Sequence, residues 1–171
     1  MRQTPWLWLP LAAISSSAYA TTYLTVEQAQ KAIFPDGKLT PAFITLKDEQ
    51  TRLIATMSGV PVSQKEIKAW KAADGGWFIL DNVIGKHEVI AYAVGLKNDG
   101  SVKQVEIMDY KESYGYEVRN ANWRKQFIGK TAADPVKLDR DIRNISGATL
   151  SSRHVTEGIK RILATYATAL K

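Results

Sequence analysis

The chain has no cysteine among its 171 residues, and that absence removes disulfides, thiolate metal sites, thioether-attached haem and iron–sulfur clusters together. Any redox chemistry must come from an organic cofactor, and no metal site is expected. A block of one charge is also missing. The formal charge of +6 comes from basic residues scattered among acidic ones, which argues against a nucleic-acid partner and suits an anionic ligand or an acidic partner protein. No apolar run reaches the roughly 20 residues needed to span a bilayer. Neither a Gly-x-Gly-x-x-Gly fingerprint nor an evident acid/base pair is present, so a self-sufficient enzyme with a dinucleotide site is disfavoured.

What is present begins with an export pattern. Arg2 supplies a positive start, Trp6 to Ile14 an apolar stretch, and Ala18-Tyr19-Ala20 a small-x-small cleavage site. Residues 1–20 read as a signal peptide and 21–171 as a single domain, 171 − 20 = 151 residues long, with a charge of +5 once Arg2 is removed. An exported, periplasmic protein without a stable membrane span after cleavage is expected. Association with the outer face of the inner membrane is the alternative placement. With 45% hydrophobic and 23% charged residues, the chain is globular in composition.

The pattern of the mature chain divides into three parts. Residues 21–60 read as helical: Thr25-Val26-Glu27-Gln28 is a capping box opening a helix to about Phe34, and a second begins near Thr45 or Lys47 and ends at Gly59. That second helix is expected to bury Leu46, Leu53, Ile54 and Met57. Residues 70–110 change to strand period, with candidates at Trp70–Ala73, Trp77–Leu80, Val89–Leu96 and Val102–Tyr110, the last two joined by the turn Asn98-Asp99-Gly100. Trp70, Trp77 and Phe78 read as core. Residues 111–171 hold a Gly115-centred loop, a short helix over Asn122–Ile128, a strand candidate at Lys137–Ile142 and a final helix. In that helix Val155, Ile159, Ile162, Leu163, Tyr166 and Leu170 make one buried stripe. The fold class is α+β: an antiparallel meander flanked by helices, with a long C-terminal amphipathic helix.

The run Ser146-Gly147-Ala148-Thr149-Leu150-Ser151-Ser152 lies just ahead of that helix. A helix N-terminus offers unpaired amides and the positive end of the macrodipole, so a phosphate on Thr149 would meet the amides of Leu150 to Arg153. By residue type alone, Ser151 or Ser152 as an ordinary N-cap and Gly147 as an ordinary turn residue are the better explanation of the run.

The run resembles the flavinylation motif of the FMN-binding domain family, which includes the covalent-FMN subunits of the sodium-pumping NADH:quinone oxidoreductase and of the Rnf complex. Glu112-Ser113-Tyr114-Gly115-Tyr116 is similar to that family's Glu-Thr-Pro-Gly-Leu loop, and Trp123, Phe127, Gly129 and Lys130 to its trailing Trp…Phe-x-Gly-Lys. The resemblance covers Glu112 to about Leu170 and implies FMN esterified through its phosphate to Thr149 by a flavin transferase that uses FAD. It implies that Ser146, Gly147, Ala148, Leu150 and Ser151 surround the attachment point, and that Glu112, Ser113, Tyr114, Gly115 and Tyr116 lie beside the isoalloxazine ring. Lys130, or the Lys86-His87 pair, is expected to place positive charge near that ring. His154 is expected either to help bind the phosphate or simply to be exposed. Two positions depart from the family pattern. Arg143 stands where an aspartate is usual, so that either Asp141 substitutes by a shifted backbone or the transferase tolerates the change, and tyrosines replace the loop's proline and leucine.

The resemblance thus implies an exported electron-transfer module with membrane or periplasmic redox partners. The alternatives are a small flavin-dependent reductase subunit with its own substrate, or a flavin-free sensing or assembly module of the same fold.

Overall fold

The computed structural model describes residues 24–112 and 114–171. The signal-peptide reading at 1–20 lies outside the described residues. Thr25 caps α1 (Val26–Ile33) reciprocally with Gln28, the threonine hydroxyl accepting the Gln28 amide at 3.2 Å and the glutamine oxygen accepting the Thr25 amide at 2.8 Å. Two short strands, β1 (Leu39–Pro41) and β2 (Ile44–Thr45), precede α2 (Asp48–Ser58), which stops at Gly59 in the left-handed region. β3 (Glu66–Ala72), β4 (Trp77–Ile84), β5 (Val89–Leu96) and β6 (Val102–Tyr110) follow as an antiparallel meander. β1 and β2 pair with the outer side of β3. The chain then passes through α3 (Ala121–Arg124), flanked by 3₁₀ turns, to α4 (Thr149–Thr165), whose last turn widens into a π-helix at Tyr166–Leu170. This is the expected α+β fold.

The sheet separates two apolar layers because its strands alternate. One face carries Ile79, Tyr92, Val94, Val105 and Ile107 against Val155, Ile159 and Leu163 of α4. The other packs Phe78, Ala93 and Met108 against Ala29 and Ile33 of α1. α4 lies close because Gly158 leaves room: a Cβ there would fall 2.0 Å from the Tyr92 hydroxyl oxygen. The far end of the chain is tied down as well, Tyr166 donating to the Asn98 carbonyl at 2.7 Å. α4 therefore runs the length of the sheet. Its first turn is left at the end where the β4–β5 hairpin and the exit from β6 meet.

Several expectations need correction. Lys137–Ile142 is a turn with one isolated parallel bridge between Leu138 and Ile142. Val136 and Asp139 take positive φ values of 40° and 60°, and the Asp141 carboxylate accepts the Val136 and Lys137 amides, so those donors do not enter a ladder. β1 and β2 are additional strands, too short to show a period. Of the apolar residues expected to be buried on α2, only Ile54 turns inward, while Leu53 and Met57 are each 48% exposed, and Leu46 is buried ahead of the helix. The helix expected over Asn122–Ile128 is α3 followed by a 3₁₀ turn at Lys125–Phe127, although Trp123 and Phe127 do share a face, edge to face at 5.2 Å. Trp77 and Phe78 are core as expected, and Trp70 is half-buried between Phe43 and Phe78.

Candidate functional site

Three segments far apart in sequence meet at the start of α4. They enclose a cleft of about 400 Å³ lined by Lys86, His87, Glu112 and Tyr114 on one side and Gly147 to Ser151 on the other.

The helix start is the chemically distinctive wall. Ala148 is the N-cap residue and has no side chain to cap with, so Thr149 is the first helical residue, not the residue ahead of the helix. Neither serine takes the cap role. Ser152 is fully buried and its hydroxyl folds back on Asn144 Oδ1 at 3.0 Å and on the Ala148 carbonyl at 3.0 Å. Ser151 is 4% exposed and contacts Tyr110 Oη at 3.1 Å. The Ser152 amide already bonds to the Ala148 carbonyl, so the amides without an intrahelical acceptor are those of Thr149, Leu150 and Ser151, a set that starts one residue earlier than the expected Leu150 to Arg153. Among the described residues the Thr149 hydroxyl has no hydrogen-bond partner, and the residue is exposed in the cleft. Ser146 and Gly147 are exposed beside it, Gly147 with a φ of 81°.

The opposite wall is held by Glu112. Its Oε1 accepts the His87 amide at 2.6 Å and the Glu88 amide at 3.0 Å. A Cβ on residue 85 would lie 2.6 Å from that oxygen, which is why the loop begins with Gly85. Burial raises the Glu112 pKa, but the amides of Glu88, His87 and Lys86 outweigh it and leave the carboxyl below its usual range. Tyr114 projects from the loop, 81% exposed, while Tyr116 opens the 3₁₀ turn Tyr116–Arg119 and is 64% exposed. Gly115 is buried under the first turn of α4. Ser113 lies outside the described residues. The α4 side is tied to the same loop by His154, whose Nδ1 meets the Ile84 carbonyl at 2.5 Å and the Gly85 carbonyl at 3.2 Å. His154 therefore braces the cleft and does not turn toward the helix N-terminus.

Lys130 is not brought to the cleft. Its carbonyl accepts the Val102 amide, which places it at the start of β6, roughly 26 Å of strand from Tyr110. Its ammonium pairs with Asp141 at 3.0 Å. Asp141 is thereby committed to Lys130 and to two backbone amides, so it does not replace a carboxylate at position 143. Burial opposes ionisation of Asp141, yet the Lys137 amide and Lys130 hold its carboxyl below the usual range. The Arg143 side chain is exposed, and its backbone is fixed by Gln126 Oε1 at 2.8 Å and by the Trp123 indole N–H at 2.7 Å. The Trp123 element thus anchors the strand-like approach to Ser146. The braces made by Tyr110, Gly85 and His154 carried no motif of their own; their signal lies in contacts across the chain.

Comparison with known proteins bears on these same segments. Residues 85–164 match the family model of the FMN-binding domain, a stretch that opens at the Gly85 loop and closes within α4, so it holds all three walls of the cleft. No curated protein matches the chain.

Proposed function

Since this chain belongs to the FMN-binding domain family through residues 85–164 and is a flavin-binding protein with FMN as its cofactor, we propose that it carries that FMN covalently on Thr149 and serves as an exported electron-transfer module. The observation that carries the tether is the Thr149 hydroxyl: exposed in the cleft, without a hydrogen-bond partner among the described residues, and at the first position of an uncapped helix.

A flavin transferase with FAD as donor would join the Thr149 oxygen to the FMN phosphorus. The pyrophosphate bond of FAD breaks, AMP leaves, and the hydroxyl proton passes to solvent. The phosphate would then lie against the amides of Thr149 to Ser151, where the macrodipole favours an anion. Lys86 and His87 supply the basic side of the cleft, and Tyr114 an aromatic face suited to stacking. When bound, the flavin links two-electron donors to one-electron acceptors, chemistry that belongs to the cofactor. The chain's own contribution is to hold the segments that line the cleft in register.

Export supports the covalent reading, because a protein that crosses a membrane unfolded cannot keep a cofactor held only by its fold. Residues 21–171 would form one domain, and membrane-bound or periplasmic redox proteins would be its partners. No helix among the described residues is long and apolar enough to cross a membrane. Coexpression with a flavin transferase, followed by intact mass and peptide mapping, tests the proposal. A phosphoryl-FMN adduct on Thr149 is expected, and an unmodified Thr149 peptide from the coexpressed protein would refute it.

A further inference from the structure

Tyr110 ends β6, its ring is 3% exposed, and its hydroxyl reaches two of the segments that line the cleft. It donates to the Tyr114 carbonyl at 2.5 Å. A phenol has one proton, so in the 3.1 Å contact with Ser151 Oγ the serine is the donor. Gly115 sits in the angle between these bonds. A Cβ there would lie 2.5 Å from the Tyr110 oxygen and 2.7 Å from the Ala148 Cβ, and its φ of +90° suits glycine alone. The loop carrying Tyr114 and the first turn carrying Thr149 are therefore referenced to one buried hydroxyl.

We propose that Tyr110 is a positioning residue for loading and holding the cofactor: its hydroxyl sets the spacing between the Tyr114 wall and the Thr149 oxygen. The proposal rests on the flavin reading of this cleft. A phenylalanine would fill the same apolar volume, so packing alone does not require the oxygen. Removing it takes a partner from the part-buried Tyr114 carbonyl and from the buried Ser151 hydroxyl, and the two walls relax independently. Displacing a reacting group by about 1 Å costs up to about a hundredfold in rate.

The test uses the full chain incubated with flavin transferase and FAD, following FMN incorporation by intact mass and the order of the bound ring by visible circular dichroism. Tyr110→Phe is expected to keep the far-ultraviolet spectrum of the wild type, to load on the order of tenfold to a hundredfold more slowly, and to give a weaker visible dichroic band once loaded. Ser151→Ala should show a smaller slowing, and the double variant should be no slower than Tyr110→Phe, because both changes break one chain of hydroxyls. Wild-type loading and an unchanged visible band in Tyr110→Phe would overturn the proposal, as would a double variant whose effects simply add. Should Tyr110→Phe fail to fold, wild-type loading and dichroism in Ser151→Ala overturn it equally. If the wild-type chain takes no FMN covalently, the tether reading fails instead. Visible dichroism of FMN bound reversibly by wild type and Tyr110→Phe then decides the role of Tyr110 separately.

Discussion

Glu112 and His87 are joined by a 2.6 Å hydrogen bond from the His87 amide to the Glu112 carboxylate, across 25 residues of sequence. Glu112 thereby fixes the Lys86-His87 loop beside it, on the side of the cleft that faces the start of α4.

That bond makes the cleft sensitive to acid. The Glu112 pKa is lowered in the folded state despite its burial, because the Glu88, His87 and Lys86 amides favour the carboxylate. A lowered carboxyl contributes stability that is fully present above its unfolded value of about 4.3 and is lost as pH falls through the folded one. Amide exchange at His87 and Glu88 should accelerate as pH drops below that unfolded value, once corrected for intrinsic rates. Glu112→Gln should show faster exchange at neutral pH and lose the acid dependence.

Thr149→Ala should fold normally, since the side chain is exposed and unbonded among the described residues, with stability changed by less than about 0.5 kcal/mol. It should emerge colourless after denaturation and desalting. Flavin that stays with the denatured variant would place the tether elsewhere.

Arg143→Asp should likewise leave the thermal midpoint unchanged, because among the described residues only the backbone of Arg143 is engaged, by Gln126 and Trp123. It restores the carboxylate usual in the family, and loading by a transferase should be faster than in the wild type. Loading slower than wild type would mean that Arg143 serves the transferase directly.

Gly158→Ala should destabilise the fold by at least about 1–3 kcal/mol in denaturant titration. The new Cβ would fall 2.0 Å from the Tyr92 oxygen and 3.0 Å from Val83 Cγ1, pushing α4 off the sheet.

Arg161 and Asp81 form an ion pair at 2.7 Å with side chains only 14% and 22% exposed, and Tyr92 donates to the same carboxylate at 2.8 Å. Burial, with Asp81 adding to it, holds the Tyr92 pKa well above its usual value, so the phenol stays protonated. Arg161→Ala leaves Asp81 without its cation and should cost about 2–4 kcal/mol. An Arg161→Met, Asp81→Leu double variant should recover part of that loss.

The elements that were legible share a local cause. β5 and β6 have the expected boundaries because their alternation and the Asp99-Gly100 turn are both written in neighbouring residues. The α4 stripe has the same origin. Lys137–Ile142 misled because its apolar spacing suits a strand, whereas the backbone follows the Asp141 carboxylate into a turn. Lys130 misled for a related reason. Closeness to the cleft was inferred from motif order, but its backbone is held at the other end of β6.

The sequence by itself determined the absence of thiol chemistry, the order and period of the main elements, and the placing of Thr149 beside a helix start, because each depends on residue types within a few positions. Only the tertiary structure decided that Thr149 is inside the helix, that Glu112 and His154 brace the Gly85 loop, and that Tyr110 meets Ser151 across 41 residues. Those outcomes depend on which buried polar group finds which partner once the sheet and α4 have packed.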